Sequence, residues 1–355
     1  MTSKISISFL PAFRLARVRK PGWLFFLVLC ACILFAVQAG AVKVSWSDWS
    51  YPFLSDAHQE TISGGSYVLW SLRLPRIFFA IFIGAALALS GTLTQGLFRN
   101  PLADPGLIGV TGGAACAVAL VVILLANSGL SVPMSWRYWL LPCSAFFGAV
   151  SVCFFLNHVA KWLTADSTTG LLLTGVAFNA FAAAIIGLST YLATDEQLRS
   201  FSFWMLGSLA AASWPLVTIS FALLAITIYQ AKSLSDAMNA LALGEATAAH
   251  IGIDIRHLRT RVIILVALLC GFAVAWCGMI GFIGLVAPHI VRTMMGSDHR
   301  IVSPYSMWAG AVLLLLADTL ARTMAIPAEI PVGVFTAFLG APFFLYLLMR
   351  SRRRI

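Results

Sequence analysis

From Trp23 to Val42 the chain carries no charged residue, and apolar stretches of similar length recur as far as the C-terminus. A helix that crosses a bilayer needs about 20 mostly apolar residues, because the hydrocarbon core is about 30 Å thick and each residue rises about 1.5 Å. Lipid offers no partner to a bare N–H or C=O, so only helices and closed barrels can span it. The apolar runs here are continuous rather than alternating in strands of about ten residues, which argues for helices. Only 10% of the residues are charged and 60% are hydrophobic, whereas a soluble domain has about 25% charged residues. A soluble core built from 355 residues could not be covered by so little polar surface.

Windows of about 19 residues place ten spans, at 22–42, 71–97, 106–127, 138–160, 168–193, 214–231, 260–280, 281–295, 304–321 and 330–349. The expected fold is therefore an all-α polytopic membrane protein of about ten transmembrane helices. The eighth span is the weakest, since Gly281, Gly284 and Pro288 interrupt it and a pair of half-helices would fit. With the N-terminus in the cytoplasm, the outer side receives only Lys43, Arg73, Arg76, Arg137, Arg199 and Arg322. The rest of the 23 Lys and Arg fall inside, as the positive-inside rule requires, and both termini are cytoplasmic. Trp23, Trp70, Trp136, Trp139, Trp162, Trp214 and Trp308 lie near span ends, where amphipathic rings settle at the lipid–water boundary.

The chain divides into an N-terminal cytoplasmic tail (1–21), one membrane domain (22–349) and a basic cytoplasmic tail (350–355). Five basic residues precede the first apolar run, and Val37-Gln38-Ala39 loosely resembles a cleavage site. The run exceeds the roughly 7–15 apolar residues of a signal peptide, which favours a retained first span. Segment 43–65, with Trp46, Asp48, Trp49, Asp56 and Glu60, reads as an outer loop with a short surface helix. Segment 232–259 reads as two short cytoplasmic helices separated at Gly244 and Gly252. Its helix-forming content suits a surface for a partner protein better than a mere linker.

Much chemistry is missing. None of the five lysines follows glycine, so no phosphate-binding loop of the G-x-x-x-x-G-K-[ST] type exists. The seven cysteines lie in apolar segments without ligand or disulfide spacing, and the histidines fall in loops or at span ends. The net charge of +10 is scattered between spans rather than gathered on one module, which argues against nucleic acid. Asp318 is the clearest charge within a span. Arg322, four residues on, suggests an i,i+4 ion pair, against the alternative of an ion relay. Gly175 to Phe181 (GVAFNAF) and Gly333 to Phe338 (GVFTAF) share small residues that permit close helix approach, or echo an internal repeat. A passage through the bilayer whose energy source lies on another chain fits these features. An ion-coupled carrier would use Asp318, and a membrane-embedded enzyme would need a polar constellation that the spans lack.

Several motifs then coincide in order: RLPR (Arg73 to Arg76), NPLADPGLIG (Asn100 to Gly109), FWMLGSL (Phe203 to Leu209), GEATA (Gly244 to Ala248), GFIGLVAPHIVR (Gly281 to Arg292) and EIPVGVFTAFLGAPFFLYLL (Glu329 to Leu348). The set resembles the permease subunits of bacterial ABC importers for ferric siderophores, haem and cobalamin, from about residue 65 onward. The resemblance implies a homodimer in the inner membrane, two cytoplasmic ATPase subunits that carry ATP and magnesium, and a periplasmic binding protein. No cofactor on this chain is implied. Gly244, Glu245, Ala246 and Thr247 would lie on the coupling helices that meet the ATPase. Arg73, Arg76 and Arg322 would dock the binding protein, and Gly175, Asn179, Gly333 and Thr336 would line the translocation pathway. Thr194 to Trp214 is most similar to the haem-importer branch, with a ferric siderophore or cobalamin as alternatives.

Overall fold

A computed structural model of the chain describes residues 22–50, 63–127, 133–163 and 168–352, and every regular element among them is helical. The helices are α1 (Gly22–Gln38), α2 (Gly64–Tyr67), α3 (Leu74–Leu97), α4 (Val110–Asn127), α5 (Met134–Leu163), α6 (Thr168–Leu192), α7 (Asp195–Leu206), α8 (Trp214–Ala242), α9 (Glu245–His250), α10 (Ile255–Cys277), α11 (Ile283–Met295), α12 (His299–Thr323) and α13 (Val332–Arg352). Each apolar segment read from the sequence is a helix. Six helices among the described residues are long and apolar enough to cross a membrane, and α1, Val110–Leu124, α11 and Val332–Tyr346 are shorter apolar helices. The N-terminal tail, Asp56 and Glu60 of the outer loop, and residues 353–355 lie outside the described residues.

A π turn, Val68–Arg73, joins α2 to α3. Pro75 follows it, and a proline ring crowds the carbonyl four residues back while lacking the N–H that would bond to it. A wider turn relieves that conflict and lets the helix run unbroken from Gly64 to Leu97. This helix and α10 are the centre of the bundle: 83% and 72% of their apolar windows are buried, against 22% for α5 and 17% for α6.

Backbone-to-backbone contact brings the central helices together. A Cβ on Gly84 would lie 2.3 Å from the Gly310 carbonyl, and one on Gly91 would lie 1.8 Å from that of Gly284. Only glycine lets α3 meet α12 and α11 this closely, and in lipid such packing replaces the hydrophobic drive that water supplies elsewhere. Hydroxyls buried in α3 are satisfied within the helix: Thr92 donates to the Ala88 carbonyl at 2.9 Å and Thr94 to that of Ser90 at 2.8 Å.

Three local features differ from the sequence reading. The eighth span is one helix, α11, with Pro288 inside it rather than two half-helices. Pro288 leaves the Gly284 carbonyl without its helical donor, and the Gln95 side-chain amide from α3 fills the place, its Nε2 donating to that oxygen at 3.3 Å. Segment 232–259 holds one separate short helix, α9, because α8 continues without a break to Ala242. Finally, α7 lies between two of the expected spans, where the hydropathy pattern marks no helix. Its start is a capping box in which the Thr194 N–H donates to Gln197 Oε1 at 2.9 Å, a pattern legible in T-x-x-Q.

The connection between α1 and α2 also has a defined centre. Asp48 accepts hydrogen bonds from the Ser45 N–H at 2.8 Å, from the hydroxyls of Ser45 and Ser63 at 2.8 Å each, and from Ser66 at 3.3 Å. The Trp70 indole donates to the Asp48 carbonyl at 3.2 Å, which ties the loop to the π turn. These donors, the Ser45 N–H foremost, lower the Asp48 pKa to about 2. A carboxylate with a depressed folded-state pKa stabilises above its unfolded value and loses that contribution as pH falls. We expect the loop to stay docked above pH ~4 and to loosen as pH drops towards 2, with Asp48→Asn abolishing this acid transition. Limited proteolysis between Ser45 and Ser66 across that range checks it.

Candidate functional site

At the end of the bundle that carries the π turn, α1 finishes with carbonyls that have no helical donor. Two arginines supply donors. Arg73 donates to the carbonyls of Val37 and Val42, and Arg322 to those of Ala36 and Ala39. A cation is also favoured there by the helix dipole. Gly40, at φ +144°, makes the approach possible, since a Cβ on it would sit 2.6 Å from Arg73 Nη2 and 3.2 Å from Arg322 Nη1.

Arg76 has a different task. Its Nε and Nη2 grip Asp318, with Nη2–Oδ1 at 2.8 Å, and its Nη1 reaches Glu329 at 2.9 Å. The expected pair of Asp318 with Arg322 is thus replaced. Across the bundle Arg76 offers a two-pronged match to the carboxylate, while the Arg322 side chain is drawn to the end of α1. Asp318 is 3% exposed and Glu329 is 48% exposed. A cavity of about 480 Å³ lies among Gly40, Arg73, Arg76, Asp318, Arg322 and Glu329. Arg73 is buried, Arg76 is mostly covered, and Arg322 is half-buried. The three arginines are therefore gathered at one end of the bundle, each already holding partners in its own chain.

At the opposite end, Gly244 adopts φ +118° and turns the chain between α8 and α9, a conformation that side chains with a Cβ resist. Ala246 and Thr247 are exposed, as are the flanking apolar residues Leu243 and Ile251. Glu245 instead turns towards its own chain, 3.6 Å from Arg99 Nη2 and 3.9 Å from Arg259 Nη2. The sequence offered no sign of these partners, which arrive from the α3–α4 loop and from α10.

The four residues named for the pathway face neighbouring helices of the same chain. Gly175 packs on the Leu107 carbonyl, and Asn179 Nδ2 donates to the Gly106 carbonyl at 3.2 Å. Gly333 packs against the carbonyls of Met279 and Leu206, and Thr336 is buried with its hydroxyl bonded to the Gly333 carbonyl at 3.0 Å. What α6 and α13 expose is the other face: Val176, Ala177, Ala180 and Phe181 on one, Ala337, Phe338 and Ala341 on the other. Sequence reasoning also missed the buried pair of Gln95 and Arg292, in which Arg292 Nη1 donates to Gln95 Oε1 between α11 and α3. Among the described residues no group of three His, Cys, Asp or Glu side chains could hold a metal ion.

Comparison with known proteins agrees with this layout. The model of the FecCD transport family matches residues 27–350. The chain is 42% identical over 287 residues to the hemin transport system permease protein HmuU of Yersinia pestis, covering 81% of this chain and 84% of that one. It is 38% identical over 349 residues to the vitamin B12 import system permease protein BtuC of Klebsiella pneumoniae, covering 98% and 99% respectively. Among solved structures, a metal-chelate type ABC transporter in an inward-facing conformation superposes with a TM-score of 0.77 at 31% identity, covering 92% of this chain and 98% of that one. The chain belongs to the FecCD transport family and is a multi-pass permease subunit of an ABC importer of the inner membrane, with ATP hydrolysis on a separate subunit.

Proposed function

We propose that the chain forms half of a homodimeric haem importer, with ten spans and both termini in the cytoplasm. The observation that carries the ligand reading is the 42% identity to the hemin permease of Yersinia pestis. The orientation rests on the excess of Lys and Arg at the end that carries α9.

In this reading the exposed surface of α9, with Ala246, Thr247 and the flanking Leu243 and Ile251, enters a cleft on the ATPase. Gly244 sets its angle, and Glu245 ties it to Arg99 and Arg259 so that a push on α9 reaches α3 and α10. At the outer end, the cluster of Arg73, Arg76 and Arg322 with Glu329 docks the periplasmic binding protein, charge setting orientation and on-rate more than affinity. Gly175, Asn179, Gly333 and Thr336 hold α6 and α13 in place, and the apolar residues on their exposed faces, alanines interleaved with Phe181 and Phe338, form the pathway wall. A wall of that kind passes a large amphipathic chelate without gripping it, and specificity rests mostly on the binding protein.

Import of cobalamin is the second reading, favoured by a vitamin B12 permease that aligns with 98% of the chain. A ferric siderophore would use the same machinery. Reconstitution with the ATPase and binding protein decides among them. We expect haem to accumulate in proteoliposomes only when ATP is present, by at least tenfold over cobalamin, on the order of the discrimination that about 1.4 kcal/mol supplies. Haem entry without ATP, or faster entry of cobalamin, refutes the haem reading.

A further inference from the structure

At the end of the bundle that carries α9, α8 and α12 part over α3 and enclose a second cleft of about 480 Å³, within the range of about 300–1,000 Å³ that ligand pockets occupy. Its depth is apolar: Leu89 is fully buried at the base, with Ile228 and Met307 on the walls. Its mouth is charged. Lys232 and Arg300 stand there with Asp236, whose Oδ1 lies 2.5 Å from Arg300 Nε, and both members of that pair are well exposed.

The registers of the two helices fix where the mouth lies. Lys232 is roughly 27 Å along α8 from Trp214 at about 1.5 Å per residue, and Arg300 is roughly 33 Å along α12 from Arg322. Both lengths match a hydrocarbon core of about 30 Å. The two basic residues therefore share one membrane–water boundary, while the apolar wall extends into the hydrocarbon layer. Ser303, one turn into α12 from Arg300, lines the cleft between the charged mouth and Met307.

We propose that this cleft holds one anionic phospholipid of the cytoplasmic leaflet, its phosphate between Lys232 and Arg300 and an acyl chain along Leu89, Ile228 and Met307. The leaflet follows from the orientation proposed above. Two cations against the single carboxylate of Asp236 leave the lining with a net positive charge, and a pocket of that sign at this depth attracts an anionic head group. A zwitterionic lipid brings its own ammonium and gains no net attraction, and Asp236 weakens the site by opposing the anion.

The test uses the full chain in mild detergent, equilibrated with equal amounts of phosphatidylglycerol and phosphatidylcholine and read by native mass spectrometry. We expect phosphatidylglycerol to be retained over phosphatidylcholine. Each of Lys232→Ala and Arg300→Ala should lower its retention about fivefold, as about 1 kcal/mol per basic residue implies. Asp236→Asn should raise it, a gain that misfolding cannot imitate, and Ala231→Leu should exclude the lipid with every charge in place. Equal retention of both lipids, or an unchanged Lys232→Ala/Arg300→Ala double variant, overturns the proposal. So does a protein that keeps no lipid while Arg300→Ala weakens binding of the ATPase subunit, which would make the cleft a protein contact. Lipid retention is measured without transport, so a failure of the haem reading leaves this result standing, and the reverse holds.

Discussion

Replacing Arg76 with methionine should cost about 3–5 kcal/mol of stability, the usual penalty for stripping one partner from a buried ion pair. Asp318 would remain, 3% exposed, and among the described residues none forms another ion pair or hydrogen bond with both of its oxygens. Arg322 is four residues away but spends its guanidinium on the carbonyls of Ala36 and Ala39, and releasing it would uncap α1. The double variant Arg76→Met/Asp318→Leu should recover most of the loss, because removing both charges removes the desolvation cost with them. Thermal unfolding in detergent measures this. A single variant within about 1 kcal/mol of the parent, as an exposed pair would give, contradicts the buried assignment. Glu329 provides the contrast: it is 48% exposed, and its loss should fall in that small range.

The other large effect is expected at Gly91. An added Cβ would lie 1.8 Å from the Gly284 oxygen and 2.5 Å from its carbon, and a backbone cannot swing aside as a long side chain can. Gly91→Ala therefore forces α3 and α11 apart, and should exceed the roughly 1–3 kcal/mol of ordinary overpacking. Separation would also pull Gln95 away from the Gly284 carbonyl that Pro288 leaves bare. Gly187→Ala in α6 is the control, since nothing lies within 4 Å of the added carbon. That change should gain up to about 1 kcal/mol from helix propensity alone. The yield of monodisperse protein and its unfolding temperature separate the two outcomes. Equal behaviour of the two variants would mean that α3 and α11 do not meet at these glycines.

Most of the secondary structure is legible in the sequence. The ten apolar segments announce themselves because lipid demands a long uncharged helix, a property of each segment by itself. The turn at Gly244 and the start of α7 at Thr194 carry local signatures as well, a glycine where φ is positive and a T-x-x-Q capping box. Segment 232–259 was legible only in part. Hydropathy falls after Lys232, which suggested that a span ended there, yet the backbone of α8 stays helical to Ala242. A helix needs no lipid to continue, only residues that favour it.

The site residues divide in the same way. Charge counting alone placed Arg73, Arg76 and Arg322 together at one end, and the structure does bring them there. Which carboxylate each would meet was out of reach. Asp318 and Arg322 are neighbours along a helix, and local spacing favoured that pair. Arg76 reaches Asp318 instead across a separation of 242 residues, and no periodicity encodes such a meeting. The small residues of α6 and α13 pose the same problem, because glycine suits both a smooth wall and a tight helix contact. Only the packed bundle shows Gly175 and Gly333 turned inward.

Hydropathy and charge thus determined where the apolar helices lie and the end at which the basic residues gather, since each is a sum over nearby positions in contact with lipid or water. The tertiary structure decided the partners of Arg76, Glu245 and Gln95 and the faces that α6 and α13 expose. Those choices depend on which helices come within a few ångströms of one another, and that is set by packing between glycines far apart in the chain.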